Sequence, residues 1–287
     1  MDMEKNVMDA LLEVIEIRAL TNRARVAMGI RDPNFKVLES AWKAQEKGYA
    51  QVILVGSKKE IDKIGTELEV VDTENPEKVL VELLISRKID AAIRGTAESS
   101  GTFAHLKEAL GKKSVCRLAL LLTAGGKPFF LAPVGIDEGN TIADKLHMIT
   151  LGAEHISRLG INPVIGVLSG GRIEDIGRNI LVDRTLADGE LVANRAMKLG
   201  MNAKHYTILI EDAIKESNFI VAPDGISGNL IFRTVAFLGG GDGLGAPVLM
   251  DDYVFVDTSR AGGHFTKAIM LASALSHLNK ERKKMTQ

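Results

Sequence analysis

Short apolar runs alternate with helix-length segments along most of this chain, and that alternation limits the fold more than any other feature. Arg25–Ile30 (RVAMGI), Ala50–Val55 (AQVILV), Ile89–Ile93 (IDAAI), Val164–Leu168 (VIGVL) and Phe219–Ala222 (FIVA) are too short for buried helices. Near-continuous apolar character suits strands covered on both faces. Between them the spacing predicts helices. One runs over Leu11–Leu20, and another over Phe35–Lys47, entered through Asp32–Pro33–Asn34 and stopped by Gly48. Pro76 opens a further helix that ends near Lys88, Thr141–Arg158 forms another before Gly160, and Thr266–Lys280 forms the last. Strands alternating with such helices predict βαβ units, parallel sheets and an α/β fold. Val115–Leu122 and Phe129–Ala132 break the pattern, flanking Gly125–Gly126–Lys127–Pro128 as a hairpin. Glu69–Val71 is a weaker strand, and two helices with a short strand are expected between Leu181 and Lys215. The tail ERKKMTQ is expected to fray.

A length of 287 residues accommodates two medium domains. The chain has no flexible linker, so the boundary is placed before the hairpin, at Lys112–Lys113–Ser114. Lobe I is expected to hold 1–113 with 251–287, and lobe II 114–250. A net charge of −1 gives no reason to expect a nucleic-acid or acidic-membrane partner. The single cysteine, Cys116, rules out an internal disulfide and reads as a buried small hydrophobe. The six histidines form no metal-ligand pattern, so neither a metal nor a bound cofactor is expected. The N-terminus carries early acids rather than a basic region followed by an apolar one, and no apolar run nears the roughly 20 residues of a membrane helix. These features predict a soluble, cytoplasmic protein.

The richest segment for chemistry is Pro223–Gly263. One expected strand ends in Asp224–Gly225, and another, Tyr253–Val256, ends in Asp257–Thr258–Ser259–Arg260–Ala261–Gly262–Gly263. Small residues at strand ends present backbone N–H groups, and the arginine fork matches phosphate or carboxylate oxygens. The alternative is that Arg260 pairs with Asp251 or Asp257. The cluster Gly239–Gly245 follows a helical pattern and leads into Ala246–Pro247, so it is not a dinucleotide fingerprint. It is expected to be a flexible connection. Ser169–Gly170–Gly171–Arg172 and the turn Arg94–Gly95–Thr96 occupy strand ends, where open α/β sheets bind ligands. Ser169, Arg172, Gly95 and Thr96 are therefore candidate anion contacts, with ordinary turn or capping roles as the alternative. His264, just past Ser259–Arg260, is a candidate general base, set against a solvated or capping histidine.

With these residues in view, the chain resembles the phosphate acetyl/butyryltransferase family over nearly its whole length. The resemblance is carried by Arg25–Gly65, Asp90–Thr102, Gly160–Arg172, PDGISGNLIFR and GAPVLMDDYVFVDTSRAGG. It implies two α/β/α lobes, like those of the isocitrate and isopropylmalate dehydrogenases, with the active site in a cleft between them. It also implies acyl transfer between phosphate and the thiol of coenzyme A, without metal, by a homodimer. By the same resemblance, Asn229, Ser259 and Arg260 match the family pattern, and Arg233 stands where a lysine is usual. Ser259–Arg260 would hold the phosphoryl or tetrahedral oxyanion. Thr266 stands where an acidic base is common, and Phe237 where an arginine is common. The shortened centre and the VDTSRA ending are most similar to a divergent methanogen branch named as a methyltransferase subunit X. That name implies methyltransferase subunits as partners, beside a small anionic or phosphorylated ligand.

Overall fold

A computed structural model describes residue 8, residues 10–259 and residues 265–285. Arg260 and His264, two of the sequence candidates, lie outside the described residues. In chain order the elements are α1 (Leu11–Asn22), β1 (Ala24–Ile30), α2 (Phe35–Glu46), β2 (Ala50–Gly56), α3 (Lys58–Asp62), β3 (Glu69–Asp72), α4 (Pro76–Ile85), β4 (Ala91–Ile93) and α5 (Ser99–Leu110). They continue with β5 (Ala119–Leu122), β6 (Pro128–Ala132), α6 (Ile142–Arg158), β7 (Val164–Val167), α7 (Ile180–Lys198), β8 (Asn202–His205), α8 (Ile210–Glu216), β9 (Phe219–Val221) and α9 (Gly225–Phe237). The chain closes with β10 (Asp242–Pro247), β11 (Phe255–Asp257) and α10 (Thr266–Met285).

The chain divides into two compact lobes. Lobe I is Leu11–Val115 with Leu244–Gln287, and lobe II is Cys116–Gly243. The sequence placed the return to lobe I at 251. It falls at Leu244 because Ala246 and Pro247 pair with Asp257 and Val256 of β11.

In lobe I, β3, β2, β1, β4 and β11 are parallel neighbours, and β10 joins antiparallel to β11. Alternate side chains face opposite sides of such a sheet. Ala27, Ile53, Val55, Ala92 and Phe255 pack with Leu80, Val81 and Leu84 of α4 and with Phe103 and Leu106 of α5. α10 lies against α1, α2, β1 and β4. The helices start where the sequence places caps: Asn34 accepts from Val37 N at the head of α2, and Asn75 accepts from Lys78 N just before Pro76 in α4.

In lobe II, β6, β9, β7 and β8 run parallel in that order, with β5 antiparallel to β6 through the expected hairpin. α7 packs on β7 and β8, α8 on β7, and α9 on β5 and β6. Thr141 and Asp144 form a reciprocal capping box at the start of α6.

Three expectations change. Part of the glycine cluster is strand β10 rather than a loose connection. Gly245 has φ +131°, and a Cβ there would stand 2.5 Å from Val256 Cγ1, so the close strand approach needs glycine. The tail stays helical to Met285, tied by Arg18–Glu281 at 2.6 Å and Arg282–Asp251 at 3.0 Å. Cys116 is only half-buried and precedes the strand, which starts at Ala119.

Candidate functional site

Because β1, β4 and β11 are parallel, their C-terminal ends share one edge of lobe I, and the loops leaving them are knitted together. Arg94, 6% exposed, donates Nε to Asp257 Oδ1 at 2.5 Å and Nη1 to Ala97 O at 2.8 Å, and Nη2 also bonds Thr258 O. Thr258 in turn donates its hydroxyl to Gly95 O at 3.2 Å. The Thr96 hydroxyl oxygen accepts from Arg31 N at 2.9 Å and Asp32 N at 3.2 Å. Buried Glu77 accepts from Arg31 Nε and from Glu98 N, both at 2.7 Å. Burial works to raise the Glu77 pKa, but the Arg31 hydrogen bond and backbone amides outweigh it and hold the carboxyl below its ordinary value. Gly95 and Thr96 thus clamp the three strand exits to one another. Ser259, half-buried, follows directly from this clamp. Asp251 and Asp257, the acids weighed against a ligand role for Arg260, engage Arg282 and Arg94.

Lobe II gathers its own candidates in the same way, at the exits of its parallel strands. Asn229, in α9, donates Nδ2 to Val134 O at 2.8 Å and so holds the loop that leaves β6. In that loop Glu138 is buried against Arg117, whose Nε reaches Oε1 at 2.6 Å. Burial outweighs the arginine and raises the Glu138 pKa. Ser169, past the end of β7, is buried, whereas Arg172 is exposed and its backbone N–H caps toward Asp175 Oδ2 at 2.9 Å. Arg233 is exposed two turns into α9, stacked over the Phe237 ring at 5.4 Å.

Sequence reasoning passed over three groups. Arg94 was seen only as the start of a turn, although its role depends on Asp257, 163 residues away. His205 lies 3.0 Å from the Ser169 hydroxyl through Nε2 and 3.2 Å from Glu190 Oε2 through Nδ1. Lys145, in the first turn of α6, is 5% exposed. Burial lowers its pKa, against the opposing fields of Asp188, Asp224 and Asp144. A lysine on an ordinary amphipathic helix gives no sequence signal of burial. Among the described residues there is no group of three or more His, Cys, Asp or Glu side chains placed to hold a metal ion. No helix among them is long and apolar enough to cross a membrane.

No family profile matches the chain. The fold is that of the phosphotransacetylases. A phosphotransacetylase from Streptococcus pyogenes superposes with a TM-score of 0.67 at 16% identity, covering 93% of this chain and 98% of that one. The EutD phosphotransacetylase of Staphylococcus aureus gives 0.66 at 16% identity, covering 94% and 99%. In sequence, proteins named "Putative methyltransferase mtx subunit X" from Methanosarcina mazei and Methanosarcina acetivorans are 81% and 82% identical to it. Each match covers 97% of this chain and 99% of the relative. The chain belongs to that subunit X family.

Proposed function

We propose that this protein is a transferase-type member of the phosphotransacetylase fold that binds a small phosphorylated or coenzyme-type anion at the strand exits of lobe I. The observation that supports this most is the Arg94 clamp. It fixes Thr258 against Gly95 and Asp257, so the backbone that enters Ser259 leaves the strand from a held position. Arg260, next in sequence, supplies the charge in this reading, with His264 as the base that would accept a thiol proton. Coenzyme A or a related thiol is assigned as a substrate.

Thermal unfolding tests it. Phosphate, acetyl phosphate, coenzyme A or coenzyme M at a hundredfold excess over Kd stabilises a specific site by about 2.7 kcal/mol, raising Tm by several degrees. At least one of these anions is expected to do so, and Arg260→Ala to abolish the rise. If none shifts Tm, the anion site is refuted.

A second reading is a non-catalytic, methyl-transfer-associated subunit. Thr266, where the resemblance expects an acidic base, instead donates its hydroxyl to Ser40 O at 2.8 Å and anchors α10 to α2. Phe237, where an arginine is expected, packs edge-on to Phe232 at 6.2 Å and beneath Arg233. The relatives' subunit name supports methyltransferase subunits as the partners in this case. The homodimer expected from the resemblance has a candidate surface in α9 and its C-cap, where Ile226, Leu230, Phe237 and Leu238 are all exposed.

A further inference from the structure

Ser169 is held from several directions at once. Its N–H donates to Thr207 O at 2.7 Å, and the N–H of Gly170 donates to Thr185 Oγ1 at 2.8 Å. Thr207 sits at φ +58°, a strained conformation for a non-glycine residue that persists only where the surroundings impose it. The Ser169 Oγ stands 3.0 Å from His205 Nε2, and the opposite ring nitrogen, Nδ1, stands 3.2 Å from Glu190 Oε2. The imidazole passes over α7 at Gly189. A Cβ there would meet His205 Nε2 at 2.7 Å, so the helix carries a glycine, a poorer helix former than alanine, where the ring needs room. A second route from Ser169 Oγ, to Gly171 O, is long at 3.4 Å, leaving the histidine as the better partner.

We propose that Ser169 is a nucleophilic hydroxyl activated by a Ser169–His205–Glu190 relay at the strand exits of lobe II, and that it reacts with activated acyl compounds, acyl phosphates or thioesters. With the imidazole proton on Nδ1 and directed to Glu190, Nε2 is free to accept the serine proton. Oγ attacks the acyl carbon as its proton passes to Nε2. The tetrahedral adduct collapses to an acyl-serine, the carbon–oxygen or carbon–sulfur bond breaks, and the leaving phosphate or thiolate takes the proton from Nε2. A thiol or water acceptor then gives its proton to Nε2, attacks the ester, and the proton returns to Oγ. Glu190 touches no reacting atom and is a positioning residue that holds the tautomer. Ser169 is 2% exposed, and its neighbour Gly170 is exposed with no side chain, so small electrophiles are the appropriate probes. The relay lies wholly in lobe II and does not depend on the anion site at Ser259.

The test is covalent labelling of the full chain by a small fluorophosphonate and, separately, by acetyl phosphate, with acid quenching and peptide mass spectrometry. A single adduct on Ser169 is expected with both. His205→Gln should slow labelling at least ~100-fold, the scale of lost general-base assistance, while the thermal melt stays cooperative. Glu190→Gln should slow it less, with recovery in Glu190→Asp, which a merely structural role would not give. No adduct on Ser169 with either reagent, or labelling unchanged in His205→Gln, overturns the proposal. Either result leaves the Tm response to anions free to succeed or fail independently.

Discussion

At His155, burial and the neighbouring Arg158 guanidinium push the imidazole from 6.5 down to about 4. The folded state therefore favours the neutral ring, and the unfolded chain binds more protons between those two values. Stability from this group is complete above 6.5 and is lost as pH falls toward and through about 4. The residue as a whole is half-buried, and solvent screening on that side reduces the loss between pH 7 and pH 4 to the order of 2 kcal/mol. Urea denaturation at the two pH values measures it, and the pH difference should shrink by that amount in His155→Gln. An unchanged difference would rule this residue out. Other roles at this scale were only half legible. Ser259, Asn229 and Thr96 stand out as small polar residues at strand ends, but composition does not say which will be spent on the protein itself. Thr96 and Asn229 bond backbone atoms of distant loops, Asp32 N and Val134 O, and those partners are fixed only once the strands align.

Among the elements, α9 departs most from ordinary helix packing. Only Gly225 and Gly228 are buried, and a Cβ at Gly228 would meet Pro133 O at 1.8 Å, so the helix enters by pressing its backbone on the β6 exit loop. The price of that entry is an outer face of large apolar side chains left in water, with Leu230 61% and Leu238 84% exposed. If this face seats a second copy, the wild-type chain sediments as a dimer and Leu230→Asp as a monomer with an unaltered melt. A monomeric wild type at tens of micromolar would refute the α9 dimer. The helical pattern ahead of Gly239 was readable in the sequence, whereas the cap was not singled out: Asp224 accepts from Ser227 N at 2.7 Å. The exposure of the helix was not readable either, because an apolar stripe looks the same whether it faces a core or a partner. β10 shows the converse. Its glycines read as a loop, and the segment is a strand only through tertiary pairing, with Ala246 and Pro247 joined to β11.

Over the whole molecule, each lobe is a compact unit with its own parallel strands, and Cys116–Gly243 is continuous in sequence. Expressed alone, that segment is expected to melt cooperatively, as a domain with its own core does. A non-cooperative melt would show that lobe II needs the rest of the chain. The fold class was set by the sequence itself, since apolar runs of strand length between capped helices leave few packings other than parallel α/β layers. Hydrophobic period and cap chemistry are local, so they can be read from neighbouring residues. The arrangement of polar groups is not local. Arg94 meets Asp257 across 163 residues, and Ser169 meets His205 across 36, because parallel strands bring their exits to one edge regardless of their separation in the chain. Only the tertiary structure decided which serine has a histidine behind it and which threonine is a clamp. Those contacts follow from strand order and register, which no single segment encodes.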